Sequence, residues 1–182
     1  MQMYQAVIDS INEMSLQGDD QEQQAELLYA YETSISGFAA KLSTKHLQSL
    51  EKVDGFLSAT PDQLLQLHTT ISQQFLSLQT GKVCWIFGCS NADMLAAIDK
   101  AIQDGVDVLS ISLGSGPLPF NRDILSIDSF GAIKSGVFVS CSAGNLGPYS
   151  SYLSNSAPCV MTVAASYMNF PSSYQAWEWK SC

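Results

Sequence analysis

Apolar positions in the first third of the chain change period several times. Val7, Ile8, Ile11 and Met14 recur at helical spacing and predict a helix that Gly18 and Asp19-Asp20 end. Residues 27–32 and 38–42 read as two strands joined through Ser34-Ile35-Ser36-Gly37. Thr44 is placed to cap a second helix carrying Leu47, Leu50 and Val53, which Gly55 terminates. Residues 56–59 then begin an extended segment that Pro61 interrupts before Leu64-Leu65-Gln66-Leu67-His68.

From about Val83 apolar strands alternate with amphipathic helices. Asn91 is expected to cap a helix with Met94, Leu95, Ile98 and Ile102 on one face, closed by Gly105. Residues 106–113 form a strand rich in β-branched side chains. Asn121 is expected to begin a helix bearing Ile124, Ile127 and Ile133 that stops at Gly136, and residues 137–141 and 160–165 read as further strands. Strand–helix–strand alternation predicts a parallel α/β sheet with its ligand site at the carboxyl ends of the strands. Ser112-Leu113-Gly114 and Asn145 fall at such ends. A side-chain amide there suits a donor to a developing oxyanion, although Gly-Asn after a strand also suits a plain turn.

Charge separates the two modules. Residues 1–70 carry 3 basic and 10 acidic side chains, while residues 71–182 carry 5 and 7, within a net charge of −9. That balance argues against a nucleic-acid partner. No apolar run approaches the roughly 20 residues that span a bilayer. The first residues, Met-Gln-Met-Tyr-Gln-Ala-Val-Ile-Asp, lack the basic start and apolar core of a secretory leader. Hydrophobic residues make up 46%, enough for a packed core. Of five cysteines, Cys84 and Cys89 are close enough to pair in an oxidising compartment. No second pair or nearby histidine completes a zinc site, so ordinary thiols or one bridge are expected, with no metal or other cofactor.

The words Leu-Leu-Tyr-Ala-Tyr, Gly-Phe-Ala-Ala-Lys-Leu, Val-Asp-Gly-Phe-Leu-Ser and Leu-His-Thr-Thr, in this order over residues 4–80, resemble the inhibitory propeptide of plant subtilisin-like serine proteases. That resemblance implies a ferredoxin-like sandwich, a secreted family, and a first strand ahead of the first helix that this chain does not carry. It continues through Lys-Val-Cys-Trp, Ala-Ile-Gln-Asp-Gly-Val-Asp-Val-Leu-Ser-Ile-Ser-Leu-Gly and Val-Ser-Cys-Ser-Ala-Gly-Asn. It implies that Ser112, Leu113 and Gly114 bond an extended substrate as an added strand. It further implies that Ser142, Ala143 and Gly144 wall the pocket preceding the cut bond, and that Asn145 is the oxyanion-hole amide.

The family's catalytic words Gly-Thr-Ser-Met, Gly-His-Gly-Thr-His and Asp-Thr-Gly do not occur in the 182 residues, nor does a Gly-x-Ser-x-Gly elbow. The two histidines, His46 and His68, read as structural or surface residues. Beyond Phe170-Pro171 the tail leaves the family pattern for Ser-Ser-Tyr-Gln-Ala-Trp-Glu-Trp-Lys-Ser-Cys, words that a shifted reading frame would produce.

The expected organisation is therefore an incomplete ferredoxin-like propeptide over residues 1–70 and a junction over 71–82. A partial subtilisin-like parallel α/β sheet follows over 83–170, with a divergent tail over 171–182. Three functional readings follow: a proteolytically inactive subtilase homologue; a propeptide-type inhibitor or folding helper acting in trans on an intact subtilase; and a nucleotide-binding fold. The last is opposed by the missing Gly-x-Gly-x-x-Gly and phosphate-cradling lysine. An intact subtilase or a peptide substrate is the expected partner, with no nucleic acid and no membrane.

Overall fold

The computed structural model describes residues 2–15, 24–68, 84–85, 88–147 and 149–165. Helix α1 (Gln2–Ser15) buries Ile8 and Ile11, whereas Met14 at the end of the same stripe is 54% exposed. The expected stop at Gly18 lies outside the described residues. The Asn12 amide accepts from Ala25 N at 2.7 Å and donates to Ala25 O at 3.1 Å, so a side chain takes the place of a ladder partner just before β1 (Glu26–Tyr31). Strand β1 pairs antiparallel with β2 (Gly37–Lys41), Tyr31 opposite Gly37, with a bulge between Leu27 and Tyr29.

Helix α2 (Thr44–Leu50) is capped by Ser43 and not by Thr44. Ser43 keeps an extended backbone and its hydroxyl accepts from His46 N at 3.2 Å, while Ser43 N donates to His46 Nδ1 at 3.3 Å. This is a capping box with histidine in the usual place of glutamate, and it makes buried His46 structural, as expected. The helix ends before Val53, which falls in the turn leading to Gly55 at φ +88°. Residues 56–59 form no strand; β3 is Leu64–Leu67.

The second unit runs β4 (Cys84–Trp85), β5 (Gly88–Ser90), α3 (Asn91–Gln103), β6 (Val108–Ile111), β7 (Leu113–Gly114), α4 (Ile124–Lys134), β8 (Phe138–Ser142) and β9 (Met161–Val163). Three boundaries differ from expectation. Ser90, whose hydroxyl accepts from Asp93 N at 3.3 Å, caps α3, and Asn91 is its first helical residue. Asp123 is the N-cap of α4, because Arg122 and Asp123 first turn back to the Pro119 carbonyl at 2.8 and 3.0 Å, leaving Asn121 in that turn. The single strand expected over 106–113 is broken at Ser112, where the chain leaves one sheet for another.

Strands β6, β8 and β9 form a parallel sheet in the order β6-β8-β9, and β4, β5, β3 and β7 form a second sheet in that order. The fold is thus mixed α/β, antiparallel in the front region and parallel behind, as the alternation predicted. A disulfide between Cys84 and Cys89 ties β4 to β5, with Cα atoms 4.2 Å apart. Cys159 is also disulfide-bonded, one bridge more than expected, while Cys141 is a buried free thiol. Among the described residues no helix is long and apolar enough to cross a membrane.

One face of the parallel sheet, carrying Ile111, Val139 and Cys141, packs against Met94 and Ile98 of α3 and Leu125 and Ala132 of α4. The period of two sends Val108, Phe138, Met161 and Val163 to the opposite face, where they are 42–58% exposed. A contiguous apolar patch of this kind binds polarity-sensitive dyes. Enhanced dye fluorescence is expected, and a Phe138→Ser, Met161→Thr double variant should lose about half of it. Unchanged fluorescence would mean that the face is covered in solution.

Candidate functional site

Strand β3 lies antiparallel between β5 and β7. Leu64 pairs with Ser90, Leu65 with Cys89, Gln66 with Gly114 and Leu67 with Leu113. The ladder continues as His68 N donates to Ser112 O at 2.8 Å, and at the other end Asn91 N donates to Gln63 O at 3.1 Å. Leu65 alone enters the core, while Leu64, Gln66 and Leu67 remain exposed. The segment is therefore held by main-chain bonds to a strand on each side and by one apolar anchor.

His68 closes that strand and gathers most of the expected site residues. Its carbonyl accepts from the Asn145 amide at 3.0 Å, and its ring Nδ1 is 2.7 Å from Ser142 Oγ. Gly144, at φ +91°, turns the chain after β8 so that Asn145 reaches this carbonyl. Gly114 forms the other wall: a Cβ there would fall 2.6 Å from His68 Cε1. Ala143 bonds elsewhere, donating to Val163 O at 2.8 Å and accepting from Ser154 N at 3.0 Å. Half-buried His68 lies at the centre of these contacts, all of them bonds within the chain, which agrees with the structural reading expected of it.

Sequence reading missed Asn155. Its buried amide donates to Leu113 O at 2.7 Å and Ser142 O at 2.8 Å, fixing β7 against the end of β8. Nothing in Ser154-Asn155-Ser156 signals this role. Burial lowers the pKa of His68, so the ring is neutral at neutral pH. Uncharged donors around an extended backbone suit the binding of a peptide carbonyl. The His68–Ser142 contact joins the end of β3 to the end of β8. Among the described residues no cluster of His, Cys, Asp and Glu side chains is placed to hold a metal ion.

The same front region is gripped a second time. Asp99 of α3, 3% exposed, accepts from Thr33 N at 2.7 Å, Ser34 N at 2.9 Å, Ser34 Oγ at 3.3 Å and Glu32 N at 3.3 Å. Gln103 Nε2 donates to its other oxygen at 2.8 Å. Tyr29 and Tyr31 of β1 add hydroxyl bonds to Asp93 Oδ1 at 2.7 Å and Ala92 O at 3.1 Å. The β1–β2 turn thus presents backbone donors to a buried carboxylate, each such charge-assisted bond being worth about 1.5–3 kcal/mol.

Residues 1–68 match the peptidase inhibitor I9 family, and residues 57–179 match the subtilase family. Strand β3 falls where the two matches overlap. The chain is 56% identical to the Arabidopsis thaliana subtilisin-like protease SBT1.3 over 93 residues, which is 50% of this chain and 12% of that relative. It is 55% identical to SBT1.7 over 93 residues, with the same coverage, and 54% identical to SBT4.15 over 88 residues, 48% of this chain and 12% of the relative, both from the same plant. The chain thus spans about an eighth of these relatives' length. It belongs to the subtilase family, with an I9-type inhibitor propeptide leading into part of the peptidase domain.

Proposed function

We propose that this chain is a proteolytically silent subtilase segment whose inhibitor arm closes its own peptide-binding cleft. The observation that carries it is the position of His68, with its carbonyl on the Asn145 amide at 3.0 Å while β3 pairs with β7. In this reading Ser112, Leu113 and Gly114 hold the backbone of a peptide. Ser142 and Gly144 wall the pocket of its last residue, and Asn145 is the remnant of an oxyanion hole. The arm sits as a product would.

Silence is supported by the 182 residues themselves, which contain none of the three catalytic words of the family. In subtilisin, loss of the serine or histidine alone costs about a million-fold in turnover. No hydrolysis of casein or of activated esters above background is expected, and no labelling by an active-site serine probe. Stoichiometric labelling of a single serine would overturn the proposal.

A second reading, inhibition of an intact subtilase in trans, is favoured by the kind of contact the arm makes. Ladder bonds and the turn's grip on Asp99 are largely main-chain interactions, which a related strand and carboxylate would also satisfy. Its obstacle is the chain's own cleft. A tethered arm meets that cleft at an effective concentration of roughly millimolar, so inhibition in trans requires the arm to be released first.

A further inference from the structure

One carboxylate between the hairpin and the helices has no part in the grip described above. Asp128 of α4 is completely buried, and neither of its oxygens has a hydrogen-bond partner. It lies beneath the β1–β2 turn, whose amide donors at Glu32, Thr33 and Ser34 go to Asp99. One turn further along α4, Gly131 lets the turn come down onto the helix, since a Cβ there would fall 1.9 Å from Ser34 O. A buried carboxylate so poor in donors is costly to keep charged, which favours its neutral form.

We propose that Asp128 is a proton-controlled latch, and that the hairpin turn is held more firmly on α3 and α4 while this carboxyl is protonated than when it is ionised. The inference rests on the reading of residues 24–68 as an arm held in cis. Among the described residues, the groups around Asp128 offer no compensating cation. Asp99 faces it from α3, and the hydroxyls of Ser34 and Tyr31 approach it from the hairpin. Glu32, at the start of the turn, has its side chain exposed. From β8, beneath α4, comes Cys141, whose thiol burial pushes up to about 12. On α4 itself Asp123 bonds Ser126, and the Lys134 ammonium lies over the Phe130 ring, 5.4 Å from its centre. Burial raises the Asp128 carboxyl to about 7, the Ser34 hydroxyl opposes this, and the charge of Asp99 adds to it.

With the hairpin seated, Asp128 titrates near 7; once the hairpin leaves, it returns toward its ordinary 3.8. Seating is therefore strongest below about pH 4, weakens by up to about tenfold per pH unit until about pH 7, and then levels off. His68 works in the opposite sense at the far end of the arm. Burial lowers its pKa below the ordinary 6.5, so its contribution to cleft occupancy is complete above that value and is lost as pH falls through the lowered one. The turn loosens as acid is removed, and the strand loosens as acid is added.

The test is amide hydrogen exchange on the full chain, corrected for intrinsic rates, in the wild type and in Asp128→Asn. Between pH 5 and pH 8 the wild-type protection of Thr33 and Ser34 should fall at least about tenfold, while in Asp128→Asn it should stay within about threefold. Equal slopes in the two proteins would overturn the latch. A direct titration of the Asp128 carboxyl carbon in the wild type serves if the variant does not fold, and an ordinary value near 4 would overturn it as well. Exchange at His68 N separates the two readings. An unprotected His68 amide at every pH removes the arm-in-cis reading, whereas a protected one with no Asp128 effect removes only the latch.

Discussion

Replacing Gly131 with alanine is expected to strip the hairpin from α3 and α4 while making α4 itself a better helix. The added methyl would lie 1.9 Å from Ser34 O, 2.6 Å from Ser34 C and 2.9 Å from Ser34 Cα. These are main-chain atoms, so no side-chain rotation relieves the contact, and the turn must retreat by more than about an ångström to restore ordinary separation. That retreat stretches the bonds from Thr33 N and Ser34 N to Asp99, now 2.7 and 2.9 Å. Two charge-assisted bonds at about 1.5–3 kcal/mol each outweigh the roughly 1 kcal/mol by which alanine favours a helix interior over glycine. Amide protection at Thr33 and Ser34 should fall by about a hundredfold or more, while the β1–β2 ladder, which depends on its own pairing, survives. Undiminished protection at both amides would show that the turn does not rest on α4 in solution.

What the sequence disclosed of this arrangement follows from how locally each feature is encoded. The β-branched run before Gly114 and the helical recurrence of Met94, Leu95 and Ile98 depend on neighbours within a turn or two, and a strand at Val108–Ile111 and a helix at Asn91–Gln103 answer to them. The caps slipped where two good capping residues stand side by side. Ser43-Thr44 and Ser90-Asn91 look equivalent until the backbone decides which residue stays extended. On α4 the expected apolar face was Ile124, Ile127 and Ile133, yet Asp128, Ser129 and Gly131 are more deeply buried. The sheet covers one side of that helix and a hairpin nearly 100 residues earlier covers another, and no local periodicity records the second contact. The same holds at the cleft. The motif words drew attention to Ser112, Leu113, Gly114, Ser142, Gly144 and Asn145, but His68 carries no sign of which strand it will meet. Its place depends on the non-local pairing of β3 with β7.

A Gly114→Ala variant is expected to open the cleft and to free the arm for a partner. The new methyl would meet His68 Cε1 at 2.6 Å, His68 Nε2 at 3.2 Å and Asn155 Nδ2 at 3.3 Å. The imidazole has little room to turn aside, since its Nδ1 is bonded to Ser142 and its Cε1 already lies near the Cβ direction of Gly144. Overpacking of this kind costs about 1–3 kcal/mol. His68 can avoid that cost by leaving, which surrenders the bonds to Ser112 O, Ser142 Oγ and the Asn145 amide together. Protection of the His68 amide should then fall by about ten- to a hundredfold, while Thr33 and Ser34, held through Asp99, keep theirs. Release of the strand also removes the tethered competitor. The variant should therefore inhibit an intact plant subtilase at least about tenfold better than the wild-type chain, as read by titration against a fluorogenic peptide. If the two chains inhibit equally while His68 has lost its protection, the freed arm is no inhibitor. If His68 remains protected, the strand is held by its ladder and by Leu65, and the bonds around the imidazole contribute little to closing the cleft.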